Sequence, residues 1–142
     1  MLTLVGAGLL IGPIVGILFV LALGFFSVRT TRAFGGKTNF KNMSAVGAYS
    51  TVPIILSLVF VFPVEIAIFG LDFFENNPPP MVINPFLYVA LLGMDFLAVG
   101  WSFFLLVKGT AVATGLSGLK SFVVILSAGG LAGLGFVAFH FV

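Results

Sequence analysis

Residues 84–120 read NPFLYVALLGMDFLAVGWSFFLLVKGTAVATGLSGLK, and the first two thirds of this stretch decide the fold. From Pro85 to Val107 one charge, Asp95, interrupts an apolar run that exceeds the roughly 20 residues an α-helix needs to cross a ~30 Å hydrocarbon core. The run is entered through Pro85, carries the only tryptophan at Trp101, and leaves through Lys108 and Gly109. It predicts a membrane-spanning helix over 85–107, and the flanking sequence repeats the pattern on both sides.

Downstream, 108–120 is a short connection with two basic residues, and 121–142 is a further apolar run containing Gly129 and Gly133, with His140 near its end. Upstream, 70–84 is polar, with Asp72, Glu75, Asn76 and Asn77 followed by three consecutive prolines, Pro78 to Pro80. Such a tract favours stiff, extended backbone without internal hydrogen bonds. Before it, 45–69 is apolar with Pro53 and Pro63 inside and Glu65 near the far end. Proline is tolerated within a span where neighbouring helices and hydroxyls such as Ser50, Thr51 and Ser57 can satisfy the freed carbonyls. The segment 28–44 is basic, with Arg29, Arg32, Lys37 and Lys41 interleaved with Phe34 and Phe40, as suits the headgroup level. Residues 1–27 carry no charge and have no basic residue ahead of the apolar run, so they read as a retained span rather than a secretory signal.

These features predict an all-α fold: a polytopic integral membrane protein, a bundle of four transmembrane helices at about 2–27, 45–69, 85–107 and 121–142 in a single membrane domain. Composition agrees. Of 142 residues 61% are hydrophobic and 7% charged, against roughly a quarter charged in soluble domains. The net charge of +2 is too small and too clustered for a nucleic-acid partner. The absence of cysteine removes disulfides, thiolate metal sites and thiol nucleophiles. No paired carboxylates, oriented nucleophile, phosphate loop or metal-ligand cluster is legible, so neither enzymatic activity nor a cofactor is expected.

Orientation follows from the basic residues. Arg29, Arg32, Lys37 and Lys41 fall in the first connection, Lys108 and Lys120 in the third, and none in the second. The positive-inside rule then places 28–44 and 108–120 in the cytoplasm and both chain ends outside. Gly8, Gly12 and Gly16, and again Gly129 and Gly133, recur at i, i+4 spacing and form candidate helix-packing stripes.

Asp95 lies about 15 Å along its helix at 1.5 Å per residue, close to the bilayer midplane. Ser57, at similar depth on an oppositely directed helix, is the first candidate partner. Two roles are open for this pair: a polar contact between helices, or an intramembrane proton or cation site. Glu65, within about two turns of the outer boundary, is expected to reach water. His140 is expected to be solvated at the same face, and Trp101, Lys108 and Lys120 to act as interfacial anchors. Asp95 is thus expected to be the lone ionisable group of the membrane core.

A basic Gly35-Gly36 turn leads to Phe40 and then to Tyr49-Ser50-Thr51-Val52-Pro53. A second block holds Asp95, Trp101, Gly109, Gly115 and Lys120, with eight residues from Trp101 to Gly109 and eleven from Gly109 to Lys120. Over roughly 35–142 this order resembles the Yip1 domain family, in particular its prokaryotic members. The resemblance implies a polytopic helical protein, typically of five spans, with the N-terminus cytoplasmic and the C-terminus opposite. Four spans that begin and end outside match such a protein without its first helix, so the chain is expected to be a member lacking that helix. Eukaryotic members are associated with secretory-pathway trafficking and small GTPases of the Rab type. This sequence lacks their long hydrophilic N-terminal region and their Asp-Leu-Tyr-Gly-Pro motif, so a GTPase partner does not carry over. The expected role is non-enzymatic association with the lipid bilayer, with other membrane proteins or with itself. A prokaryotic cytoplasmic membrane is the first expectation for its location and a eukaryotic secretory-pathway membrane the second. The alternative is a transporter or channel component using Asp95.

Overall fold

The computed structural model describes residues 2–70 and 80–140, with side-chain surroundings for 11–70 and 80–134. Among the described residues every regular element is helical: α1 Leu2–Ala33, α2 Phe40–Ser50, α3 Val52–Phe69, α4 Pro80–Ile83, α5 Pro85–Thr114 and α6 Gly118–His140. Ile11–Ala33, Phe40–Phe69 and Pro85–Thr114 are long and apolar enough to cross a membrane, and Gly118–Leu134 is a shorter apolar helical stretch. The polar connection through Asp72, Glu75 and Pro78 lies outside the described residues.

The helices outrun the expected spans, because leaving the hydrocarbon does not end a helix; a stop signal does. Arg is a good helix former, so α1 runs on through Arg29 and Arg32 and places Arg32 in its last turn, where a cation complements the helix dipole. It stops at Gly35, whose φ of +80° suits a residue without Cβ. There the Gly36 N–H donates to the Thr31 carbonyl at 3.0 Å and the Gly35 N–H to that of Arg32 at 3.1 Å, the paired bonds of a Schellman cap. Asn39 Oδ1 then accepts from the Asn42 N–H at 2.8 Å and starts α2. Helix α5 is framed the same way. Asn84 Oδ1 accepts from the Leu87 N–H at 3.2 Å, Pro85 takes the first position, where a missing N–H costs nothing, and Gly115 at φ +69° closes the helix with its N–H on the Ala111 carbonyl at 3.0 Å.

Two prolines act differently from expectation. Pro53 is not inside a continuous helix: the chain breaks at Thr51, and Pro53 sits in the first turn of α3, where it needs no intrahelical donor. Pro80 is not extended but opens the single turn α4. Pro63 does lie within α3.

The chain forms two units, Met1–Tyr49 with Leu106–Val142, and Ser50–Leu105. In the first, α1 packs on α6. Its interior stripes are Leu23, Ser27, Val28 and Thr31 on α1, Thr110 and Thr114 on α5, and Ser121, Val124, Ile125, Ala128 and Ala132 on α6, all buried. Small side chains let helices approach where lipid supplies no hydrophobic drive. In the second, Val61 and Phe69 of α3 pack on Leu91, with Leu87 and Tyr88 alongside. The Phe69 and Tyr88 rings meet edge to face at 6.1 Å.

Candidate intramembrane site

In the second unit α3 carries Ser57, Val61, Glu65 and Phe69 at steps of four. Residues at that spacing share one helix face, and Val61, Glu65 and Phe69 are all buried. Opposite them α5 turns Tyr88, Leu91 and Asp95 toward the same interior. Because Phe69 meets Tyr88 and Ser57 meets Asp95, the two helices run antiparallel. The Ser57 hydroxyl donates to Asp95 Oδ1, so the structure brings the two sequence-selected residues together.

It also brings in a third. Glu65 is 4% exposed and does not reach water as expected. Together with Ser57 and Asp95 it lines a cavity of about 200 Å3 whose other walls are apolar, including Ile54, Phe62 and Val99. Its side chain and that of Asp95 line the same cavity from two different helices. Asp95 is therefore not the lone ionisable group here. The signal that identifies Glu65 is in the sequence: it stands two turns beyond Ser57 on the Ser57–Phe69 stripe, and helical phase rather than depth sets its burial.

The six basic residues belong to the other unit. Arg29, Arg32, Lys37, Lys41, Lys108 and Lys120 are all exposed, and the Arg29 guanidinium lies 4.8 Å from the centre of the Phe25 ring one turn earlier, a cation–π contact. The turns at 34–39 and 115–117 meet: a Cβ on Gly36 would stand 3.0 Å from Leu116 Cγ. Both basic connections thus lie at one end of this unit. Most of these residues sit on helix ends rather than in loops.

The expected glycine stripes meet no neighbour among the described residues of this chain. Nothing lies within 4 Å of where a Cβ would be at Gly12, Gly16, Gly129 or Gly133, and the side-chain surroundings of Gly8 and His140 fall outside the described residues. The close approaches are elsewhere. A Cβ on Gly24 would stand 2.7 Å from Ser44 Oγ, one on Gly47 3.2 Å from Val20 Cγ1, and one on Gly109 2.8 Å from Val46 Cγ1. Gly24 and Gly47 seat α2 on α1, and Gly109 seats the end of α5 on α2. No i, i+4 repeat marks these three.

Gly109 and Gly115, both in the second motif block, thus have defined duties: one admits Val46 and the other ends α5 with a positive φ. A family model, the Yip1 domain, matches residues 1–139. The chain belongs to the Yip1 domain family. The match is wider than the motif blocks and takes in α1, which precedes both. No curated protein and no solved structure matches this Yip1-domain chain. Membership and the long apolar helices together make it a multi-pass membrane protein. Among the described residues no group of three or more His, Cys, Asp or Glu side chains is placed to hold a metal ion.

Proposed function

We propose that this Yip1-domain protein is a non-enzymatic membrane component that crosses the bilayer four times and acts by association with lipids, with other membrane proteins or with itself, in membrane organisation or trafficking. The reading has both chain ends outside and the basic connections in the cytoplasm, in a prokaryotic cytoplasmic membrane first. A fourth crossing is supported by the length of α6, Gly118–His140, which meets the roughly 20 residues a span needs.

The observation that carries the association reading is the meeting of the turns at 34–39 and 115–117. It gathers six exposed cations toward one end, beside exposed Phe34, Phe40 and Leu119. Each basic residue near an anionic leaflet contributes about 1 kcal/mol of attraction, and the aromatic rings suit the headgroup level. A protein partner with an acidic juxtamembrane face would meet the same surface.

Photo-crosslinking in native membranes tests this. Probes at Phe40 and Leu119 are expected to give discrete protein or anionic-lipid adducts that a probe at Phe86 does not. Equal, diffuse labelling from all three positions would overturn the reading.

A further inference from the structure

We propose that Ser57, Glu65 and Asp95 form a binding site for one exchangeable monovalent cation, a proton or a sodium-sized ion, between α3 and α5. The inference stands independently of the association reading, because it rests on the interior of the second unit and not on the basic surface.

Three observations converge. Glu65, more than nine-tenths buried, faces the cavity and has only another acid as its charged neighbour there. The cavity, about 200 Å3, has room for a small ion and accompanying water. No Lys, Arg or His lies among its lining residues. Two carboxylates lining one pocket with otherwise apolar walls repel each other by Coulomb's law, and intramembrane acids normally face a partner that offsets their charge. None of the described residues lining the cavity supplies such a partner, so the positive charge is one taken up from solution.

The donor set fits that role. Four carboxylate oxygens and one hydroxyl are hard ligands, suited to a proton or an alkali cation rather than to a soft metal. Ser57 gives its proton to Asp95 Oδ1, which leaves the Ser57 oxygen's lone pairs available to a cation and holds the Asp95 carboxylate in place. A proton would sit between the Glu65 and Asp95 carboxyls; a sodium-sized ion would bridge them and take the Ser57 oxygen as a further ligand. Over 50–70 and 80–105, the described titratable side chains are Glu65 on α3 and Tyr88 and Asp95 on α5, with Tyr88 turned to Phe69.

The test uses the full chain in lipid nanodiscs, with thermal unfolding followed against sodium chloride at fixed pH, choline chloride as the ionic-strength control, and then against pH without sodium. Sodium binding raises Tm with sodium and not with choline. Proton binding moves Tm with pH while sodium has no effect. In either case Glu65→Gln and Asp95→Asn should weaken the apparent affinity roughly tenfold or more, since each removes one of the two charges that hold the ion. A wild-type protein indifferent to both ions, or a response that both variants retain unchanged, would overturn the proposal. Should the variants fail to fold, infrared difference spectra of the wild type decide. A carboxyl band that changes on ion exchange supports the site, and no carboxyl change rejects it.

Discussion

Glu65 and Asp95 sit on different helices and turn their carboxyls into one cavity, with Ser57 holding the Asp95 carboxyl from the α3 side. The other residues lining that cavity are apolar, and the hydrogen bond can be tested apart from any bound ion. Ser57→Ala removes the donor and should cost about 1 kcal/mol or more of stability, because a part-buried carboxyl loses a partner that water replaces poorly. Ser57→Thr keeps a hydroxyl and should recover most of the loss. Thermal unfolding of the two variants in one detergent makes the comparison.

In the first unit the buried hydroxyls of Ser27, Thr31, Thr110 and Ser121 have no hydrogen-bond partner among the described residues. Burying such a group unsatisfied costs about 1–3 kcal/mol. Ser121→Ala and Thr110→Val should therefore be neutral or raise Tm, the reverse of Ser57→Ala. A fall in Tm of the size seen for Ser57→Ala would show that ordered water satisfies these hydroxyls.

Gly109 and the expected glycine stripes should respond oppositely to the same change. Gly109→Ala drives a methyl into Val46, and overpacking of this kind costs about 1–3 kcal/mol. Val46→Ala should relieve it in the double variant, a coupling that a double-mutant cycle measures. Gly12→Ala and Gly133→Ala meet open space and gain up to about 1 kcal/mol of helix propensity. If either weakens self-association measured by crosslinking, a second chain packs on that face.

Topology can be mapped cleanly because the chain has no cysteine. Single substitutions Lys37→Cys and Ser117→Cys should react with a membrane-impermeant thiol reagent from the same side, and Asn76→Cys only from the opposite side. Labelling of all three from one side would contradict the four-crossing reading.

Much of this architecture is legible without coordinates, because in a membrane each apolar run must satisfy its own backbone and only helices do so within one segment. Asn84, Pro85, Gly35 and Gly115 mark helix ends by chemistry that can be read directly. Glu65 escaped because its depth suggested water, whereas its phase relative to Ser57 and Phe69 puts it inside; both facts are in the sequence and the second wins. The seats at Gly24, Gly47 and Gly109 were not legible at all. A repeated small residue describes a face of one helix, but which glycine meets a neighbour depends on where two helices cross, and Val46 or Ser44 is distant in sequence from the glycine it touches.

The contact between Gly36 and Leu116 has an electrical consequence. By joining the two turns it gathers six positive charges toward one end of the first unit, which the proposed orientation puts on one side of the field the membrane sustains, while all four acids fall in the sequence from Glu65 to Asp95. In an energised bilayer the two insertions of the molecule are then unequal by roughly 2.3 kcal/mol per 100 mV for every charge that has to cross. Under the proposed orientation the voltage therefore opposes any reversal of the molecule once it is inserted.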